Sequence, residues 1–204
     1  MIVCGVDEAG RGPWAGPVVA AAVILPAEGA PSGVADSKVL TPARRSALEQ
    51  AIKACCVWAI GEASPEEIDR LNIRQATHLA MRRAIAGLAT PPGLALVDGN
   101  DAPKAPCPVR PLIGGDALEP AISAASILAK EYRDRLMVSL CAAYPGYGFA
   151  AHKGYGAPAH AAALRELGPS PVHRMSFKPV REAAEALTAR LQAANHPETD
   201  LRPC

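Results

Sequence analysis

Asp7 and Glu8 stand side by side at the end of the first apolar run, and Gly10-Arg11-Gly12 follows at once. Paired carboxylates suit a hard divalent cation, which takes oxygen ligands and keeps places open for water and phosphate. Neighbours in a regular strand face opposite sides, so these two acids can share a ligand only where the strand ends and the backbone turns. Gly10 and Gly12 supply such a turn. Lacking a Cβ, they let a substrate lie on the peptide backbone, and Arg11 offers a forked cation shaped for phosphate. Two more acids close apolar runs: Asp98 after residues 94–97, and Asp116 after residues 109–113. If those strand ends lie side by side, four carboxylates meet in one cleft, where they repel and raise one another's pKa unless cations neutralise them. Mg²⁺ or Mn²⁺ fits that role. Each acid also has a plainer reading: a solvated strand end at Asp7-Glu8, an Asp-Gly turn at Asp98, a helix cap at Asp116.

The elements that must position these groups follow from periodicity. Residues 2–7, 18–25 and 56–60 are short runs rich in β-branched residues and bounded by Gly or Pro, which predicts consecutive strands; residues 94–97 and 109–113 predict two more. Helical spacing covers 42–54, with Thr41 as cap, then 64–70, 73–88, 120–142, 157–167 and 179–192. Three strands followed by strands separated by helices predict an α/β fold, a mixed sheet covered on both faces. We read residues 1–192 as one catalytic domain with its C-terminal helices. Residues 193–204, with Pro197 and Pro203 and no periodicity, form a flexible tail in this reading.

The run Gly5-Val6-Asp7-Glu8-Ala9-Gly10-Arg11-Gly12-Pro13-Trp14-Ala15-Gly16-Pro17-Val18 resembles the signature of type 2 ribonuclease H, in its bacterial ribonuclease HII branch. Further matches follow in order: Asp36-Ser37-Lys38, the segment from Glu67 through Ile73, Val97-Asp98-Gly99-Asn100, Gly115-Asp116, the segment from Ile122 through Lys130, His152-Lys153-Gly154-Tyr155-Gly156, and His173-Arg174-Met175-Ser176-Phe177. They span nearly the whole chain to about Arg181. The resemblance implies a ribonuclease H-like fold with a small C-terminal helical extension, and Asp7, Glu8, Asp98 and Asp116 as one ligand set for two divalent ions. We assign Asp7 as the bridge between those ions. It also implies that Gly10, Arg11 and Gly12 contact the ribonucleotide, whose 2′-hydroxyl both donates and accepts. Tyr155 would pack on the adjacent deoxyribose; by itself it reads equally as a hinge tyrosine in a glycine loop. Lys38, Ser126, Lys130 and Lys153 are candidates for phosphate contacts, and each could instead serve as a surface ion-pair partner. Two positions depart from the family pattern: Trp14 replaces a smaller aliphatic residue, and Gly156 stands where a proline is sometimes found.

The 204 residues carry a net charge of only +1, so no overall basic footprint marks a nucleic-acid binder. Distribution says more. Lys153, Arg165, Arg174, Lys178 and Arg181 fall within residues 152–181 against the single acid Glu166, together with His152, His160 and His173. That stretch could hold a phosphate backbone or be a solvated helix surface. Six cysteines form no C-x-x-C pair, which suits free thiols in a reducing cytosol. No apolar run approaches the ~18 residues that span a bilayer, so a cytoplasmic monomer without membrane association is expected. The expected activity is endonucleolytic hydrolysis of the RNA strand of RNA·DNA hybrids, and incision 5′ to single ribonucleotides in duplex DNA, leaving 3′-hydroxyl and 5′-phosphate. The alternatives are a silent hybrid-binding module and a DNA-directed nuclease on the same fold.

Overall fold

In the computed structural model, which describes residues 1–34 and 40–195, five strands form one mixed sheet. β1 (Val3–Ala9), β2 (Val18–Ile24) and β3 (Val57–Ala63) run as an antiparallel meander; β4 (Leu94–Asp98) and β5 (Val109–Leu112) add in parallel on the other side of β1, giving the order β3-β2-β1-β4-β5. The helices are α1 (Pro42–Cys55), α2 (Pro65–Leu71), α3 (Ile73–Ala86), α4 (Gly115–Leu118), α5 (Pro120–Ala143), α6 (Phe149–His152), α7 (Pro158–Leu167) and α8 (Lys178–Asn195). Thr41 caps α1 as expected, and Ser64 with Glu67 closes a capping box on α2.

Both faces of the sheet are covered, as the alternation of apolar runs predicts. On one face Val6, Ala20 and Ala22 pack with Ala80 and Ala84 of α3; on the other Ala21 and Val23 pack with Ala125 and Leu128 of α5 and Ile52 of α1. β2 is consequently buried on both sides, which is why it reads as a continuous apolar run. Each fully buried Leu or Ile on these helices contributes about 1.5–3 kcal/mol.

Several boundaries differ from those predicted. β1 runs two residues past Asp7, because its antiparallel ladder with β2 continues to Ala9 opposite Val19. The turn therefore begins after the acids, not at them. The parallel ladder with β4, however, stops at Val6 opposite Val97, and the next pair in that register is Asp7 with Asp98. The short helix α6 falls where the sequence predicts a loop, too brief for a periodic signal, and α4 begins at the Gly-Gly-Asp segment whose plainer reading is a helix cap. α8 continues to Asn195, three residues beyond the predicted end; the rest of the predicted tail, 196–204, lies outside the described residues, as does Asp36-Ser37-Lys38. Among the described residues no helix is long and apolar enough to cross a membrane.

Candidate active site

The acids gather at the C-terminal ends of the parallel strands, where open α/β sheets place their ligands. Asp7 is 6% exposed; its Oδ1 accepts the Glu8 amide at 2.7 Å, and the Ser126 hydroxyl from α5 lies beside the carboxylate, where it favours the charged form. Burial, then the charges of Glu8 and Asp98, push the Asp7 carboxyl up to about 8. Burial raises the Glu8 carboxyl too, against the pull of the Arg11 guanidinium, whose Nη1 lies 3.4 Å from Oε1. Asp116 enters through its backbone: it sits in the first turn of α4, and its amide donates to Asp98 Oδ1 at 3.4 Å. Among the described residues, no three His, Cys, Asp or Glu side chains form a group that could itself hold a metal ion. The four acids are instead an open set on converging backbone ends. All their donors are carboxylate oxygens, the chemistry that Mg²⁺ and Mn²⁺ prefer.

Two cavities flank Glu8. One, of about 340 Å³, runs from Glu8 and Asp98 toward Arg74, His78 and Asp101. The other, of about 330 Å³, lies between the Gly10-Arg11-Gly12 turn and Tyr155, with Ser126, Lys130 and Arg133 along its floor. Gly12 and Tyr155 face each other across it: a Cβ on Gly12 would meet Tyr155 Cε1 at 3.6 Å. Tyr155 is 47% exposed, so its ring is available at the surface. Gly10 has a different reason to be glycine. Its φ is +94°, and a Cβ there would come within 2.0 Å of Arg133 Nε. Ser126 and Lys130 do line this cavity, although Lys130 Nζ is bonded to Asp134 at 2.8 Å. Lys153 turns its Nζ to the Ala150 carbonyl and is not among the lining residues. Lys38 lies outside the described residues.

The basic stretch of residues 152–181 does not act as one surface. Arg174 is wholly buried, its Nε donating to Gly16 O (2.9 Å), Nη1 to Arg11 O (2.9 Å) and Nη2 to Gly10 O (2.6 Å). Arg133, 1% exposed, likewise donates to Pro17 O (3.0 Å), Lys153 O (3.0 Å) and Ala15 O (3.1 Å). Sequence reasoning missed both roles, since a lone arginine ordinarily reads as solvated. The histidines are structural as well. His173 Nδ1 accepts from the Ser170 amide (2.9 Å), so its Nε2 donates to His160 Nε2 (3.0 Å), whose Nδ1 donates to the Tyr155 carbonyl (2.8 Å). Burial, and for His173 the neighbouring His160, hold both below the usual histidine range, His173 at about 4. Trp14 and Gly156, the two departures from the family pattern, touch: a Cβ on Gly156 would fall 2.2 Å from Trp14 Cζ2. The indole occupies the space that a side chain at 156 would need.

The Ribonuclease HII family model matches residues 4–180. A ribonuclease HII of Caulobacter vibrioides is 58% identical over 200 residues, covering 98% of this chain and 92% of that protein. One from Bordetella pertussis is 59% identical over 181 residues, covering 88% and 90%. Among solved structures, the ribonuclease H2 of Pyrococcus horikoshii superposes with a TM-score of 0.80 at 28% identity, over 92% of this chain and 99% of that one.

Proposed function

The chain belongs to the ribonuclease HII family of metal-dependent endonucleases acting on RNA·DNA hybrids, and from that premise we propose that it also incises duplex DNA 5′ to a single embedded ribonucleotide. The products would be a 3′-hydroxyl and a 5′-phosphate, as the removal of ribonucleotides from DNA in the cytoplasm requires, and the chain would act as a monomer. Asp7, Glu8, Asp98 and Asp116 are the residues that would hold Mg²⁺ or Mn²⁺, with Asp7 as the shared ligand. One observation carries this assignment: the Asp7 carboxylate is buried beside Glu8 and Asp98 with its carboxyl pushed up to about 8, a cost that bound cations would offset. The chemistry such ions would supply is activation of a water on one side of the phosphodiester and stabilisation of the leaving 3′ oxygen on the other.

The chain's own part is orientation. The Glu8 amide fixes Oδ1 of the Asp7 carboxylate, so that oxygen is held before any ligand arrives. With the Gly10 and Arg11 carbonyls held by Arg174, the turn offers its backbone amides and the Gly12 carbonyl to a 2′-hydroxyl, with no side chain at Gly12 in the way. Tyr155, facing Gly12, would pack on the deoxyribose that follows, so that the two walls together read an RNA-to-DNA junction. Arg11 and Lys130 are the cations best placed along these walls for phosphate, and Lys38 and Lys153 complete the candidates. Three duplexes test the reading: one with a lone ribonucleotide, an all-DNA control and a long hybrid, each in Mg²⁺, Mn²⁺ or EDTA. We expect nicking 5′ to the ribonucleotide, cleavage of the hybrid, none of the control and none in EDTA. Equal cleavage of the ribonucleotide and all-DNA duplexes would overturn it.

A further inference from the structure

Two arginines are the largest fully buried side chains among the described residues, and the chemistry proposed above uses neither. Among the described residues neither guanidinium lies in a salt bridge. Burying an unpaired cation is expensive, so its hydrogen bonds must satisfy it. Each spends three donors on three main-chain carbonyls, and the six acceptors come from two short loops only. Arg174 holds Gly10, Arg11 and Gly16; Arg133 holds Ala15, Pro17 and, in the Tyr155 loop, Lys153. The backbone of Arg174 is tied to the first loop too, its amide donating to Trp14 O at 2.8 Å, and Gly16 donates to Val172 O at 2.9 Å. Asp69 fixes the chain just beyond by accepting the Met175 and Ser176 amides, each at 2.8 Å.

We propose that Arg133 and Arg174 are positioning residues for the hydrolysis. By drawing the carbonyls of Gly10 and Arg11 inward they fix the backbone of the Gly10-Arg11-Gly12 turn toward the groove, and through Lys153 O they set the distance between that turn and the Tyr155 loop. This rests on the reading that the turn and Tyr155 contact the substrate. Two features make a generic stabilising role insufficient. Two of the acceptors, Gly10 and Arg11, line the groove and the other four lie in the loops that carry the turn and Tyr155, and Gly10 is held at φ +94° with its missing side chain replaced by the Arg133 guanidinium, so the turn and the arginine are built around one another. A lysine would keep the charge, but its three N–H donors radiate from one nitrogen and cannot match a planar fork of three nitrogens each aimed at a different carbonyl.

The test compares Arg174→Lys and Arg133→Lys with Gly12→Ala, using single-turnover cleavage of the lone-ribonucleotide duplex, equilibrium binding of the same duplex in Ca²⁺, and thermal melts. Misplacement by ~1 Å costs on the order of 100-fold in rate. The lysine variants should therefore cleave about 10- to 100-fold more slowly per folded molecule, while binding changes by less than about threefold because the charge is kept. Arg174→Met, which also loses the charge, should weaken binding as well. A lysine variant with a lowered melting temperature but a normal single-turnover rate would overturn the proposal, and so would failure of both to fold, since the pair would then be a folding requirement alone. Gly12→Ala separates this from the underlying reading, because its Cβ has room. If Gly12→Ala loses cleavage and the lysine variants do not, the arginines are not positioning residues. If Gly12→Ala and Tyr155→Ala both cleave normally, the substrate-contact reading itself is wrong.

Discussion

Replacing Asp7 by Asn removes a negative charge from the most buried of the four acids while keeping its shape, and the Glu8 amide still finds an oxygen to donate to. Burial and the charges of Glu8 and Asp98 raise this carboxyl from 3.8 to about 8, so without metal the folded chain binds a proton that the unfolded chain releases. Stability from this group is then lost as pH rises from about 4 to about 8, the reverse of a salt-bridged aspartate. The three or so pH units between its ordinary value and neutrality, at about 1.4 kcal/mol each, bound the penalty at about 4 kcal/mol at pH 7. Relaxation and water entry in real cavities reduce such figures, so Asp7→Asn should gain about 1–3 kcal/mol in EDTA at pH 7.5, a rise of roughly 3–10 °C in Tm for a chain of this size. The gain should shrink to under about 1 kcal/mol at pH 4.5. Mn²⁺ or Mg²⁺ should stabilise the parent more than the variant, and the variant should lose turnover. Urea and thermal melts at both pH values, with EDTA or metal, check each part. A variant no more stable than the parent at pH 7.5 in EDTA, or equally responsive to metal, would refute the reasoning.

The histidine pair carries the opposite sign: His173, held at about 4, is neutral in the folded chain, so its contribution is intact above about pH 6.5 and lost as pH falls to 4, by about 1–3 kcal/mol. Because Asp7 compensates in that window, the loss should appear most clearly in melts of Asp7→Asn, and His173→Asn in that background should flatten it; an unchanged acid slope would remove His173 from the account. Tyr155→Ala should lower the single-turnover rate on a lone-ribonucleotide duplex at least tenfold while duplex affinity falls less than fivefold, and an unaltered rate would leave it a hinge tyrosine. Gly156→Ala should cost about 1–3 kcal/mol through its clash with Trp14, and Trp14→Val should relieve most of that cost, a coupling that a double-mutant cycle in urea measures directly.

Most elements were legible from periodicity, because one apolar face on each helix and a β-branched run in each strand are local properties of the chain. The Thr41 cap, the span of α5 and the strand closed by Asp98 needed no tertiary information. The four acids stood out because the chain carries them in the order of the family signature, and their joint role as a ligand set is the proposal made above. What the sequence left open was how those ends meet: the register that sets Asp98 beside Asp7 depends on pairing between strands about ninety residues apart. Nor did it show that β1 continues past the acids, which is decided by its ladder with β2. The arginines mark the limit most plainly. Arg174 reads as one more cation in a basic stretch, and only the closing of two distant loops around it supplies the carbonyls that let a guanidinium stay buried. Gly10 likewise reads as an opening for substrate, whereas its missing side chain makes room for Arg133. Local pattern determines where the polar groups lie along the chain; which of them water reaches, and which another part of the chain replaces water around, is decided by the tertiary fold alone.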